Sequence, residues 1–187
     1  MNKNSIIIRQ ANFTDIEGIA YVGYHSWVTT YTGIFPDELI KERTPEKRIP
    51  YIKQNWKGFE EQISEYPSRK ILVAENSEKK IVGFVAGGEI FHEEQSYDCE
   101  MYAFYILKEY QRKGLGTRLF NEMLKFLNQF DYKTMIIWVL EENPASLFYE
   151  AMGGRAKETI IQHRDGKDYT VIGFIWHDIK SYKAKNY

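Results

Sequence analysis

A single cysteine, Cys99, occurs in the 187 residues. An internal disulfide is therefore excluded, and a lone thiol fits a reducing compartment. No histidine adjoins it, so it reads as a small packed strand residue rather than a nucleophile. The four histidines, His25, His92, His163 and His177, are scattered and offer no metal-ligand spacing. Excess charge of either sign is also missing: 25 Lys and Arg stand against 26 Asp and Glu, a net −1. That balance does not favour nucleic acid or an anionic membrane as a partner. No apolar run approaches the ~20 residues that cross a bilayer. The opening Met-Asn-Lys-Asn-Ser leads straight into a short β-branched run, with no signal-peptide core. A cytoplasmic location is expected. Repeats, low-complexity tracts and linkers are absent too, which predicts one domain over residues 1–187. What the chain does have is apolar and aromatic content, 43% and 16%. That is enough for a well-buried core.

The most informative stretch runs from Cys99 to Phe130. Its first part, Cys-Glu-Met-Tyr-Ala-Phe-Tyr-Ile-Leu, is aromatic and β-branched and suits a strand. Its last part places Leu119, Phe120, Met123, Leu124, Leu127 and Phe130 at helical spacing. Between them lies a loop made of Gln111, Arg112, Lys113, Gly114, Leu115, Gly116 and Thr117. A strand, a glycine loop and a helix N-terminus together make an anion site. The first-turn N–H groups point at the loop, and the helix dipole favours negative charge there. Gly114 and Gly116 let the backbone approach a phosphate, and Arg112 and Lys113 add positive charge. The spacing is neither a Walker loop nor a dinucleotide fingerprint.

Elsewhere, Ile6–Arg9 reads as a strand. Thr14 and Glu17 form a capping box with Phe13 as staple, opening a helix that runs to Tyr31. Gly33 ends it, and Pro36 follows in a turn. Thr44-Pro45 opens a second helix carrying Ile49, Ile52, Trp56, Phe59 and Ile63. Arg69–Glu75 and Ile81–Ile90 are strands joined by a polar hairpin loop, with a bulge or bend at Gly87-Gly88. Met135–Leu140 is apolar throughout and suits a buried central strand. Asn143-Pro144 caps a helix that ends at Gly153-Gly154. Ala156–His163 and Tyr169–Trp176 form a hairpin about Asp165-Gly166.

Gln111-x-x-Gly114-x-Gly116, between an aromatic strand and a helix, resembles the pyrophosphate loop of the GNAT superfamily of acyl-CoA-dependent N-acyltransferases. The stretch from Trp138 through Asn143-Pro-Ala-Ser-Leu-Phe-Tyr149 to Gly154 resembles the family's second motif. The element order also matches: strand, two helices, three strands, helix, strand, helix, two strands. The resemblance implies a mixed α/β fold whose twisted sheet is flanked by helices, with acyl-CoA entering where the fourth and fifth strands splay apart.

The resemblance further implies acetyl-CoA as co-substrate, no metal, and direct transfer to a primary amine in a ternary complex. Tyr105, Ile106 and Leu107 would offer a strand edge to the amide-rich pantetheine. Gln111 to Thr117 would hold the diphosphate. Asn143 and Ser146 are implied at the cofactor, Asn143 being equally readable as a helix cap. Tyr149 matches the position of the general acid that faces the CoA sulfur. Glu100 matches a glutamate that serves as base, directly or through water, and so touches the acceptor. Trp27 and Tyr31 lie in a segment that forms the acceptor wall. That wall resembles the one in bacterial polyamine acetyltransferases. Asp37, Glu38, Glu93, Glu94, Glu141 and Glu142 could supply negative charge to a cationic amine. The acceptor is therefore expected to be a small amine or polyamine, or a protein or peptide amine. Family members often dimerise, so a homodimer is among the implied assemblies. Two rival readings use the same fold: a non-catalytic acyl-CoA-binding module, and an acyltransferase for another acyl-CoA.

Overall fold

The computed structural model describes residues 5–90 and 96–183, with side chains for all of these except 57–65. Strand β1 (Ile7–Gln10) leads to helices α1 (Ile16–Tyr31), α2 (Asp37–Lys41) and α3 (Pro45–Glu65). Strands β2 (Lys70–Glu75), β3 (Ile81–Glu89) and β4 (Cys99–Ile106) precede α4 (Leu115–Leu127). Then come β5 (Met135–Leu140), α5 (Ser146–Ala151), β6 (Arg155–Arg164) and β7 (Lys167–Trp176). The strands form one mixed sheet in the order β1-β2-β3-β4-β5-β7-β6. This is the expected α/β architecture, with α2 as an addition. Asp37 and Glu38 at the start of α2 suit a helix N-terminus, a signal masked by the preceding Pro36.

The β4–β5 pair is the joint that positions the site. It is parallel, and only Cys99↔Met135 and Glu100↔Ile136 are in register. Beyond Glu100 the strands part. β4 continues along β3 to Ile106, while β5 pairs with β7 over its whole length. A bulge sits just past the last shared pair, where Ala86 opposes Ala103 but Gly87 opposes Met101. A bulged strand bends and twists locally, which carries β4 away from β5. The bend falls at the expected glycines. A Cβ on Gly87 would come within 2.9 Å of the Glu100 carbonyl oxygen, and Gly88 has φ +151.

The bulge also breaks the period-2 alternation of side chains along β4. A Cβ on Gly83 would meet Ile106 and Leu119, while one on Gly87 would meet Met101 and Met123. Leu119 and Met123 lie one turn apart on α4, so Ile106 and Met101 face the same helix. Their separation is odd, so the side-chain order reverses at Tyr102. Glu100 thus faces the same side as Ala103 and Tyr105, not that of Phe104 and Ile106.

The entry to α1 also differs from expectation. The capping box is Asn12 with Asp15, not Thr14 with Glu17. Asn12 Oδ1 accepts from Thr14 N–H at 2.9 Å, and Asp15 Oδ2 from Asn12 N–H at 2.8 Å. Phe13 is 51% exposed and staples nothing. Asp15 wins because it is also tied to the sheet: Arg9 from β1 donates Nη1 to Asp15 Oδ2 at 2.7 Å and Nη2 to Asp15 Oδ1 at 2.8 Å. Arg9 Nε also donates to Glu75 Oε2 at 3.0 Å. Ile49, Ile52 and Trp56 of α3 pack on the core as expected, while the Phe59 and Ile63 side chains lie outside the described residues.

This ion network yields a stability prediction. Burial pushes the Asp15 carboxyl up, but Arg9 and the Asn12 N–H more than offset it, leaving it below its ordinary value. Arg9 and then Lys79 hold Glu75 below its own. Carboxyls with lowered values stabilise the fold above their unfolded values, 3.8 and 4.5. They lose that effect as pH falls through the folded values. Arg9→Leu strands the buried Asp15 carboxylate and leaves Glu75 with Lys79 alone, and is expected to cost about 3 kcal/mol at neutral pH. The acid-side fall in melting temperature should flatten in that variant. Urea denaturation at pH 7 and pH 4 checks both, and an unchanged pH slope would remove the network from the account.

Candidate active site

The loop after β4 is shaped by its backbone. Residues Lys108–Tyr110 form a short 3-10 turn, and Gln111 then folds back so that its Nε2 donates to the Ile106 carbonyl at 2.9 Å. Arg112 has φ +57, and Gly114, the N-cap of α4, has φ +78. Glycine takes that left-handed conformation at little cost. It brings no capping side chain, so the Leu115, Gly116 and Thr117 N–H groups have no intrahelical acceptor. No acidic residue lies in this first turn. Arg112 and Lys113 are exposed beside it. A loop of this geometry and charge can receive an anion such as a diphosphate.

The gap between β4 and β5 opens from this loop. It encloses about 120 Å³ between Phe104 and Ile106 on one side and Trp138 and Val139 on the other. Leu107 donates its N–H to Val82 O at 3.0 Å. Antiparallel alternation then directs the Tyr105 N–H to β3 as well, and those of Phe104 and Ile106 into the gap. The edge amides facing the gap thus belong to Phe104 and Ile106. Of the expected trio, Tyr105 and Leu107 point their amides the other way.

Tyr149, Asn143, Gln111 and Tyr31 line the same gap. Tyr149 is buried, its ring between those of Phe148 and Phe174. Burial, followed by the neighbouring Tyr31 and Tyr105 phenols, holds its hydroxyl well above the ordinary 10. It is a protonated donor at neutral pH. Asn143 is buried with both ends of its amide engaged. Its Nδ2 donates to Tyr31 Oη at 2.9 Å, and its Oδ1 accepts from Ala145 N–H at 2.9 Å. Ser146 donates its hydroxyl to the Asn143 carbonyl at 2.9 Å. Asn143 and Ser146 therefore build the turn before α5, and Asn143 also ties that turn to the α1 wall. The N-cap of α5 itself is Ala145, two residues later than expected.

A second, larger cavity of about 460 Å³ lies on the other side of β4, between α1, α3 and the sheet. Trp27 lines it, donating Nε1 to Tyr105 Oη at 3.1 Å. Tyr31 closes the wall through the aromatic series Trp27, Tyr31, Phe35 and Tyr169. Tyr102, Ala103 and Tyr105 line both cavities, so the two meet at β4. Glu100 is half-buried at the last β4–β5 pair, two residues before Tyr102, and lines neither cavity. Asp37, Glu38, Glu141 and Glu142 are exposed and outside both cavities, and Glu93 and Glu94 lie outside the described residues. Sequence reasoning missed Arg43 and Arg48, which line the larger cavity. They sit in Lys-Glu-Arg-Thr-Pro-Glu-Lys-Arg, where nothing distinguishes a cavity arginine from a solvated one. Among the described residues no group of three or more His, Cys, Asp or Glu could hold a metal ion.

The family model for acetyltransferases of the GNAT family matches residues 26–153. The chain belongs to that family. This acetyltransferase is 32% identical over 180 residues to the uncharacterized N-acetyltransferase YuaI of Bacillus subtilis (strain 168), covering 96% of this chain and 97% of that protein. It is 26% identical over 167 residues to spermidine N(1)-acetyltransferase of Thermoplasma acidophilum, covering 88% and 94%. The crystal structure of the PaiA N-acetyltransferase of Thermoplasma acidophilum in complex with coenzyme A shares its fold. That match has TM-score 0.61 and 22% identity over 90% of this chain and 98% of the other.

Proposed function

We propose that this acetyltransferase moves an acetyl group from acetyl-CoA to a primary amine by direct transfer in a ternary complex. The observation that carries the reading is the meeting of two cavities at Tyr102, Ala103 and Tyr105, with a buried, protonated Tyr149 in the narrower one. The residues present fit the cofactor. The Leu115 to Thr117 amides suit its diphosphate, and the edge at Phe104 and Ile106 suits its amide-bearing arm. The cofactor supplies the activated acetyl group as a thioester.

The reaction breaks the C–S bond and forms a C–N bond. Edge amides polarise the carbonyl. Tyr149 gives its proton to the departing sulfur. Glu100 takes the amine proton through water, since it lines neither cavity directly. An acyl-enzyme route lacks support: Cys99 is fully buried, and burial pushes its thiol up to about 12. A panel of amines with acetyl-CoA, read by thiol release, tests the reading. Release without any amine partner responding would overturn it. Glu100→Gln should slow release most at low pH, where the amine arrives protonated. A pH–rate profile that overlays the parent's would remove Glu100 from the mechanism.

A further inference from the structure

The larger cavity is aromatic and apolar, yet it contains two cations and no described carboxylate. Arg43, in the turn between α2 and α3, lays its guanidinium over the Trp27 ring at 3.5 Å. Arg48, in α3, lies near Tyr51, 4.8 Å from the ring centroid. Both are partly buried, and neither forms an ion pair or side-chain hydrogen bond with a described residue. Burial holds the Arg43 guanidinium below its ordinary value, with repulsion from Arg48 and Arg164 adding to it. Cations gathered in a partly dry cavity with no counter-charge among the described residues are costly unless an anion joins them. A guanidinium fork matches a carboxylate in two parallel hydrogen bonds.

We infer that the acceptor is an amine that also carries a carboxylate, held by Arg43 and Arg48 with its apolar body on Tyr51. This deepens the acetyl-transfer reading and rests on it for the placing of the amine toward Tyr105. It runs against a polyamine, whose positive charges would meet these arginines. The carboxylates that could favour a polyamine are outside the cavity or outside the described residues.

Binding tests the inference separately from turnover, because Trp27 and Trp56 line the cavity and report by fluorescence. Phenylalanine, phenethylamine and spermidine are titrated into the parent, Arg48→Gln and Arg43→Gln. The two variants guard against loss of packing at Trp27 alone. Phenylalanine should bind the parent at least about tenfold more tightly than phenethylamine, the scale of one charge-assisted hydrogen bond. That preference should disappear in Arg48→Gln with the melting temperature unchanged. Equal affinities in the parent, a preference that survives both variants, or tightest binding of spermidine would each overturn the carboxylate site. Carboxylate-dependent binding with no turnover of any amine would leave the site standing and sink acetyl transfer instead.

Discussion

Tyr149→Phe is expected to lower the transfer rate by roughly 10²-fold or more, while acetyl-CoA affinity and melting temperature barely move. The substitution keeps the ring, and with it the packing against Phe148 and Phe174. It removes only the hydroxyl, which donates to no described residue, so no buried partner is stranded. The loss should therefore fall on the step that needs a proton. Burial keeps that proton on the phenol at any pH the protein would meet. Three readings separate in one pair of proteins. A general acid loses kcat alone. A core aromatic keeps its activity and loses stability. A binding module turns over no amine in either form. Full activity in Tyr149→Phe would remove the acid assignment.

Gly116→Val should weaken CoA binding about a hundredfold, the scale of losing two amide contacts to a charged group at ~1.5 kcal/mol each. The fold will not be untouched. A Cβ at Gly116 would sit 3.3 Å from Phe148 Cε2, closer than ordinary contact, and 3.6 Å from Ile106 Cδ1. The Phe148 ring must yield, and overpacking of this kind costs about 1–3 kcal/mol. Gly116→Val with Phe148→Leu relieves that clash. If CoA affinity returns in the double variant, the loss was packing. If it stays low while stability recovers, the loop is the diphosphate cradle. Calorimetry with CoA and a thermal melt on the parent and each variant decide the matter.

The elements most legible in the sequence were those whose signals are local. The Gln111–Thr117 loop announces itself through glycine chemistry and the helix that follows. Asp165-Gly166 was readable as a hairpin turn because both residues must adopt positive φ, here +49 and +74. Gly87-Gly88 flagged the bend in β3, but its consequence lay on the partner strand. Register decides where a bulge reverses a strand's faces, and register is a pairing between residues distant in sequence. Unbroken period-2 alternation would put Glu100 on the face of Phe104 and Ile106, and it breaks at Tyr102, where the extra residue sits.

The same distinction separates the site residues. Tyr149 is set by its short helix and lines the gap that the motif implied. Asn143 carried two readings, cap and ligand. The structure engages both ends of its amide, with Ala145 and with Tyr31, the latter 112 positions away. Arg43 and Arg48 gave no sign because their meaning depends on which residues surround them. A sequence cannot show that no carboxylate among the described residues lines their cavity. The Asn12–Asp15 box was missed for a related reason: Thr14 with Glu17 satisfies the same local pattern, and only Arg9 on β1 decides between them.

The central claim is that donor and acceptor occupy the two cavities lined in common by Tyr102, Ala103 and Tyr105 and react directly. Initial velocities measured while acetyl-CoA and an accepted amine are varied together test it most directly. Direct transfer predicts double-reciprocal lines that intersect, because both substrates must be bound before either product leaves. Parallel lines would mean that an acetylated enzyme forms first, and would contradict the account.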